Sequence, residues 1–347
     1  MKFWFSKGLS MTIKRKLAKL SEVLIRQTPI KKALLRIGRN QCTIFTLHRF
    51  DLSCYGFNGI RGHDPLLVEQ CLLELKKSGH NIVSIDDVIN AAREGRVITN
   101  AVVFTIDDGF FDHAVVAEEI FVKHKVPVTI FLVTDFVNGD FWLVESRIRY
   151  IIEAANLTTN TVDLENFSFS GKNTQEIIRK LIWHSKTLTL EQSESLVDEL
   201  SLKFGVSVPQ QPPEHYRPLT WDTARRLETL GVTFGAHTVR HPTLSIECDT
   251  VSEDQVLTSI KKLESELTKP SKVFCYPTGR LSDFSEREQL VVQNAGMHGN
   301  VSTVPDYFTF KSFTPEPFIN ASRFGFPASV VDFKQCVYYL EHLKKAL

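Results

Sequence analysis

The chain has 347 residues, of which 43% are hydrophobic and 23% are charged, a composition typical of a soluble globular protein and not of a disordered one. Its net charge of +1 conceals an uneven distribution, because residues 1–40 hold eleven Lys or Arg side chains against one acidic residue, Glu22. The rest of the chain has 30 basic and 39 acidic side chains, a net charge of −9. We therefore expect no nucleic-acid partner, since phosphate contacts require clustered Lys and Arg.

The six cysteines show no CxxC pair and no short-range framework of the kind found in disulfide-rich domains. The first residues contain no apolar run of signal-peptide length. No stretch reaches the ~20 apolar residues that a membrane span needs. These features lead us to expect reduced thiols and a cytoplasmic protein.

Residues 1–40 are interpreted as a basic amphipathic arm. Apolar residues recur three and four positions apart on both sides of Pro29, and Lys or Arg fill the other face. This pattern predicts helices that either lie on an anionic membrane surface, at the inner face of the membrane, or pack on the rest of the chain with a solvated basic face.

After the arm, short strands alternate with amphipathic helices. Strands are predicted at 41–47, 81–84, 101–106, 127–133, 232–236, 272–276 and 299–303, and helices at 64–79, 86–95, 112–124, 219–230, 250–268 and 285–295. Repeated βα units indicate a parallel sheet. Their number favours a distorted (β/α) barrel of about seven parallel strands within residues 41–347.

Residues 139–215 interrupt this alternation. They are polar and poor in strand signals, with two predicted helices at 174–186 and 189–204 and a turn-rich segment before 215. We interpret this stretch, called the insertion below, as a helical insertion between two barrel units that emerges near the active face.

Two motifs follow predicted strands, where a parallel barrel places its catalytic residues. Asp107 and Asp108 are adjacent carboxylates, of which one can ligate a cation while the other accepts a proton, although Asp-Asp-Gly is also ordinary turn chemistry. His237 and His241 can converge on one divalent cation, although this spacing also arises by chance. Together, on one barrel, the two motifs predict a metal centre.

A third motif, FCYPTG (274–279), ends the strand 272–276. It reads as a rigid Pro-Gly turn. Such a turn can also aim a backbone N–H at a developing oxyanion.

These motifs resemble those of the polysaccharide deacetylases, the NodB-homology domains of carbohydrate esterase family four. TIDDG (105–109) is similar to the family's TFDDG, GAHTVRHPTLS (235–245) to its second, metal-binding motif, and TLHRF (46–50) to its early YHR-type segment. The resemblance covers about residues 42–325.

The resemblance implies roles for these residues. It makes Asp107 the catalytic base, and it makes Asp108, His237 and His241 the ligands of a divalent metal. Zinc is the default for such a ligand set, with cobalt and nickel as alternatives. The resemblance also implies that the Thr278 backbone N–H helps to hold the oxyanion.

The third motif departs from the common family pattern. Cys275 stands where many members have the Arg that orients the base, and Thr278 stands where they have Tyr, which places the chain nearer a FAYPYG-like branch. The base must then be held otherwise, with Arg323 as the first candidate and Arg280 as the second, although either could be a surface ion pair. In that branch the early histidine serves as general acid, which implies His48 here; the alternative is a buried structural histidine.

Tyr276, Pro277 and Trp142 are predicted to contact substrate. The implied activity is removal of acetyl groups from N-acetylated sugars of a cell-envelope polysaccharide or glycolipid. An O-acetyl esterase and a cyclic-amide hydrolase are the enzymatic alternatives. A non-catalytic glycan-binding barrel is the third, and the intact Asp pair argues against it.

Overall fold

The computed structural model describes residues 28–157, 161–164, 167–311 and 317–341. Most of the predicted arm, residues 1–27, lies outside the described residues. Its last part forms helix α1 (Thr28–Ile37), in which Leu34 packs against the main core while Ile37 is exposed.

Strands and helices alternate through most of the chain. The strands are β1 (Gln41–Leu47), β2 (Asn81–Ile82), β3 (Ala101–Asp108), β4 (Thr129–Leu132), β5 (Thr161–Asp163), β6 (Ser168–Ser170), β7 (Thr233–Ala236), β8 (Val273–Cys275), β9 (Gly299–Val301), β10 (Phe308–Thr309), β11 (Ile319–Ala321) and β12 (Phe324–Gly325). The helices after α1 are α2 (Pro65–Ser78), α3 (Ile85–Arg93), α4 (Phe111–Val116), α5 (Thr134–Asn138), α6 (Val144–Ala154), α7 (Thr174–Ser185), α8 (Leu190–Phe204), α9 (Trp221–Thr229), α10 (Asp249–Glu266), α11 (Glu286–Asn294) and α12 (Val330–Val337).

The strands form two sheets that meet at both edges. The first contains the parallel strands β1, β3, β4 and β7 side by side, with β2 against β3 and the antiparallel β10 against β1. The second contains β11, β9 and β8, all parallel. Strand β12 pairs with β1, and only Ser322 and Arg323 separate it from β11. On the other side, the Ser271 N–H donates to the Phe234 carbonyl oxygen (2.7 Å), which brings β8 beside β7. The predicted α/β fold with a mostly parallel sheet is confirmed.

The strands are buried on both faces. Ile44, Val103 and Phe131 face the interior, where they pack with α3, while Phe45 and Phe104 face the surrounding helices. Because both faces are apolar, the strand sequences show little alternation.

The interior becomes polar toward the carboxyl ends of the strands. Thr46 lies two residues beyond Ile44, the last inward apolar residue of β1. Thr105 pairs with Thr46 in the neighbouring β3, and Asp107 lies two residues further along that strand. All three side chains are buried. This polar layer is where the sequence motifs converge.

The insertion has its own hydrophobic core, built around residues such as Ile148, Leu181 and Leu196. The two predicted helices are present as α7 and α8. The structure adds helix α6 and the antiparallel hairpin of β5 and β6, neither of which the sequence pattern indicated. No helix in the described part of the chain is long and apolar enough to cross a membrane.

Candidate metal centre and its acid–base residues

Asp108, His237 and His241 come together at the carboxyl ends of β3 and β7. Their candidate ligand atoms all lie within 4.8 Å of one another. The Asp108 Oδ1 atom is 3.7 Å from His237 Nε2 and 3.6 Å from His241 Nε2. Ligands at Zn–N distances of ~2.0–2.1 Å around a tetrahedral cation lie roughly 3.3–3.4 Å apart. Small side-chain rotations therefore suffice for these three residues to hold a divalent cation.

Hydrogen bonding prepares His237 as a ligand. Its Nδ1–H donates to the Cys275 carbonyl oxygen (2.7 Å), which leaves Nε2 unprotonated and directed at Asp108. Burial, with a smaller effect of His241, lowers the pKa of His237 to about 4. The imidazole is therefore neutral near pH 7, the form that binds a metal.

The loops that carry these side chains are strained. Asp108, Thr238, His241 and Thr278 all have left-handed backbone conformations, with φ between 59° and 96°. Such conformations cost roughly 1–3 kcal/mol each outside glycine and concentrate at functional sites. The Thr238 hydroxyl oxygen accepts a hydrogen bond from the His241 N–H (3.0 Å) and so supports the turn between the two histidines.

Asp107 lies beside this triad and is held by Arg323. The Nη1 and Nη2 atoms of Arg323 are each 2.8 Å from a different oxygen of Asp107, and the Thr46 hydroxyl donates to Oδ2 (3.1 Å). Both charged side chains are buried. Burial alone would raise the pKa of Asp107, but Arg323 and the nearby histidines outweigh it and hold the pKa below its usual range. The carboxylate is therefore ionised and able to accept a proton.

Arg323 also contacts the third motif. Its Nη2 atom donates to Cys275 Sγ (3.1 Å), and its Nε donates to the Ser302 carbonyl oxygen (3.1 Å). Arg280, the second candidate for orienting the base, instead forms a two-point ion pair with Asp283.

Asp107, His237 and Cys275 form a second cluster of potential ligands. A cation there would lie against the Arg323 guanidinium, which already bonds both Asp107 and Cys275. The donor set of Asp108, His237 and His241 lacks this repulsion and is the better metal site.

His48 is on the open side of Asp107. Its Nε2 atom is 3.9 Å from Asp107 Oδ2, and about a third of its side chain (34%) is exposed. This position does not match the alternative of a buried structural histidine. A proton donor here can meet both the buried carboxylate and a molecule that enters from solvent.

The loop after β8 presents a free backbone donor. Thr278 is the middle residue of a turn in which the Gly279 N–H donates to the Pro277 carbonyl oxygen, and the Thr303 hydroxyl donates to the Thr278 carbonyl oxygen (2.6 Å). No acceptor for the Thr278 N–H is found among the described residues. This N–H can donate to a ligand.

The three side chains predicted to contact substrate are buried. Tyr276 is 1% exposed and stacks on Phe284, and Pro277 is also buried. Trp142 is 4% exposed and packs against aromatic rings in the core of the insertion. Little surface of these three side chains faces the metal centre in this structure.

Glu145 is near the metal centre and was missed in the sequence. Its Oε1 atom is 3.3 Å from His241 Nδ1 and 3.5 Å from Lys186 Nζ. Burial would lower the pKa of His241, but Glu145 outweighs it, so that the pKa is raised. Glu145 lies in the insertion, outside every recognisable motif, and no sequence signal marks it.

A family model described as polysaccharide deacetylase matches residues 94–299, more than half of the chain. The chain belongs to this family. It is therefore an enzyme of a class that hydrolyses amide bonds, and the family is generally metal-dependent. Family membership does not identify the FAYPYG-like branch, which stays a prediction.

Solved structures show the same fold as this deacetylase. It is similar to the deacetylase PplD from Streptococcus pyogenes, solved in complex with acetate (TM-score 0.54, 15% identity, 86% of this chain and 99% of that chain covered). IcaB from Ammonifex degensii gives a TM-score of 0.55 at 12% identity, with 86% and 97% covered. A polysaccharide deacetylase from Bacillus cereus gives 0.52 at 15% identity, with 86% and 69% covered. No curated protein matches the chain in sequence.

Proposed function

We propose that this chain is a metal-dependent hydrolase that removes acetyl groups from N-acetylated sugars of a cell-envelope polysaccharide or glycolipid. The observation that carries the proposal is the ionised, tethered Asp107 beside a His₂Asp ligand set. Glycan binding alone does not require a buried carboxylate that accepts two hydrogen bonds from Arg323 and one from Thr46 beside the metal ligands. Zinc is the metal that we propose, on the chemistry of the donors.

Each residue of the site has a separate role in the proposed reaction. Asp108, His237 and His241 would hold a divalent cation, which when bound would supply Lewis acidity to a water molecule and to the acetamide carbonyl. Asp107 accepts the proton of the attacking water, and the Thr278 N–H donates to the carbonyl oxygen as negative charge develops there. His48 donates a proton to the leaving nitrogen as the C–N bond breaks, which gives acetate and a free amine.

The proposal is tested by acetate release from N-acetylglucosamine oligomers with the zinc-loaded wild type and Asp107→Asn. We expect release by the wild type and a loss of at least about 100-fold in the variant, since general base catalysis contributes 10²–10⁴-fold. Because Asn leaves Arg323 without its counter-charge, zinc content and melting temperature are measured on both proteins. Absence of zinc binding by the wild type would refute the metal centre.

The same assay distinguishes the bond that is cleaved. An O-acetylated oligomer of the same sugar is offered in parallel. Acetate from the N-acetylated oligomer alone supports the amidase, whereas acetate from the O-acetylated oligomer alone would replace it with an esterase.

We also propose that the arm, residues 1–40, brings the enzyme to an anionic membrane at its cytoplasmic face. The support is the charge of the arm, eleven basic residues against one acidic residue. Flotation with vesicles that contain anionic lipid tests this, with the chain lacking residues 1–40 as the control. Equal recovery of both proteins in the lipid-free fraction would contradict it.

A further inference from the structure

The insertion reaches the metal centre through one side chain. Glu145 is in the first turn of α6, and its Oε1 atom is 3.3 Å from Nδ1 of His241. The opposite nitrogen of the same ring, Nε2, is 3.6 Å from Asp108 Oδ1. One imidazole therefore bridges the insertion and the ligand carboxylate of the barrel.

The two ligand histidines are supported differently. His237 donates Nδ1–H to the carbonyl oxygen of Cys275, a neutral acceptor in the barrel, at 2.7 Å. The Nδ1 atom of His241 faces the carboxylate of Glu145 at ion-pair distance, without the alignment of a formed hydrogen bond. The backbone of His241 is left-handed (φ 64°), so this residue depends on its contacts to keep its place.

The insertion is fastened to the His241 loop at further points. The Thr243 hydroxyl donates to the Lys186 carbonyl oxygen (2.8 Å), and the Leu190 N–H donates to Glu247 Oε1 (2.6 Å). Lys186 also places its ammonium 3.5 Å from Glu145 Oε1. These contacts fix the position of Glu145 relative to His241, and only 22% of the Glu145 side chain is exposed.

A carboxylate at this position has a known physical effect. A metal-ligating histidine that gives its second N–H to a carboxylate is held in one tautomer and one ring orientation, and its ligating nitrogen becomes more basic. Loss of such a partner typically weakens metal binding 10- to 100-fold. In the tautomer that leaves His241 Nε2 free for a cation, the ring proton is on Nδ1, the nitrogen that faces Glu145.

We propose that Glu145 is a positioning residue for the metal ligand His241, so that the insertion contributes to the metal site. The inference rests on the proposed metal centre of Asp108, His237 and His241. It gives the insertion a role in metal affinity.

The experiment compares metal affinity in the full-length wild type, Glu145→Gln and Glu145→Ala. Each protein is stripped with chelator and titrated with Zn²⁺ against a chromophoric competitor, and the visible absorption of the Co²⁺ form is recorded. We expect both variants to bind Zn²⁺ 10- to 100-fold more weakly than the wild type, with Ala at least as weak as Gln, and the Co²⁺ absorption to change.

Glu153→Gln is the matched control, because Glu153 is on the same helix and pairs with Arg149 on the exposed side. It should bind Zn²⁺ as the wild type does. Melting of the metal-free proteins shows that each variant is folded. Wild-type affinity and an unchanged Co²⁺ spectrum in folded Glu145→Gln would overturn the proposal.

The metal-affinity experiment and the acetate-release assay can fail independently of each other. Tight, Glu145-dependent metal binding without acetate release would overturn the deacetylase reaction and leave the role of Glu145 standing. Acetate release with metal affinity independent of Glu145 would support the deacetylase reaction and overturn the role of Glu145. A wild type that binds neither Zn²⁺ nor Co²⁺ would overturn both.

Discussion

The Arg323 guanidinium is a fully buried charge that donates five hydrogen bonds, two of them to Asp107. It bonds both oxygens of Asp107, the Thr105 hydroxyl, the Cys275 sulfur and the Ser302 carbonyl oxygen. A planar fork suits two-point contact with a carboxylate, which a lysine ammonium cannot reproduce. The orientation of the base therefore depends on the shape of this side chain as well as on its charge.

Arg323→Lys should keep a positive charge near Asp107 but lose the two-point contact. We expect kcat for acetate release to fall roughly 100-fold, since a misplaced catalytic group costs about that much, with zinc content unchanged. Arg280→Lys is the control, because Arg280 binds Asp283 instead of the base, and should retain nearly wild-type kcat. Equal kcat values for Arg323→Lys and the wild type would remove Arg323 from its positioning role.

His113 is a buried histidine that the fold holds neutral. It is 0% exposed, its ring meets Phe50 and Phe110 edge-on, and neither ring nitrogen has a hydrogen-bond partner among the described residues. Burial, followed by the charges of Arg49 and His48, lowers its pKa well below 6.5. Just below pH 6.5, His113 is therefore neutral in the folded protein and protonated in the unfolded chain.

This predicts an acid-dependent loss of stability. The contribution of His113 is complete above pH 6.5 and is lost as the pH falls below that value, at up to about 1.4 kcal/mol per pH unit. In His113→Phe, the free energy of unfolding should decline less between pH 6.5 and 5 than in the wild type. Urea unfolding across this range measures the difference, and parallel curves for the two proteins would contradict the prediction.

At the scale of elements, strands β9 and β11 of the second sheet leave no room for an additional methyl group at Gly299. A Cβ atom on Gly299 in β9 would lie 2.4 Å from the Ile319 carbonyl oxygen of β11, an atom that cannot move without shifting the strand. A Cβ atom on Gly325 in β12 would meet nothing within 4 Å. Neither glycine has a positive φ, so only packing distinguishes them.

Gly299→Ala should therefore lower the free energy of unfolding by about 1–3 kcal/mol, the usual cost of overpacking. Gly325→Ala should be neutral or stabilise by up to about 1 kcal/mol, because alanine restricts the unfolded chain. Urea unfolding of both variants tests the comparison. A Gly299→Ala protein as stable as the wild type would show that β9 and β11 separate more easily than their spacing implies.

The sequence predicted the α/β fold and the grouping of Asp108, His237 and His241 better than it predicted the insertion. Asp107, Asp108, His237 and His241 are recognisable because strand ends fix their spacing along the chain. Glu145 is not, because its contact with His241 depends on how the insertion folds back, which no local pattern encodes.

Helix α6 and the burial of Trp142 both have an explanation in the sequence. Helix α6 carries buried Ile148, Ile151 and Ile152 at helical spacing, but β-branched residues are poor helix formers, and tertiary packing decides such cases. Trp142 stands among buried apolar neighbours, Phe141 and Leu143, so that a place in the core was the simpler expectation.

At the scale of the whole molecule, the metal should stabilise the fold, because its ligands come from the ends of two strands, β3 and β7. Binding to the folded state alone adds about 2.7 kcal/mol when the metal concentration is 100 times Kd. We expect Zn²⁺ to raise the Tm of the wild type and chelator to lower it. His241→Ala, which removes a ligand, should show little response to either, and an equal rise in Tm would place the bound zinc elsewhere.

The pairing of β12 with β1, next to Arg323, affects the order in which the protein is completed during synthesis. Asp107 is synthesised in the first third of the chain, whereas Arg323, which holds it, emerges from the ribosome more than two hundred residues later. Until then a growing chain has an unclosed barrel and an Asp107 carboxylate without its counter-charge, so Asp107 is not held in place before Arg323 has been made. A chain released before residue 323 would therefore lack the hydrogen bonds that hold Asp107, the proposed catalytic base, and we expect it to be inactive.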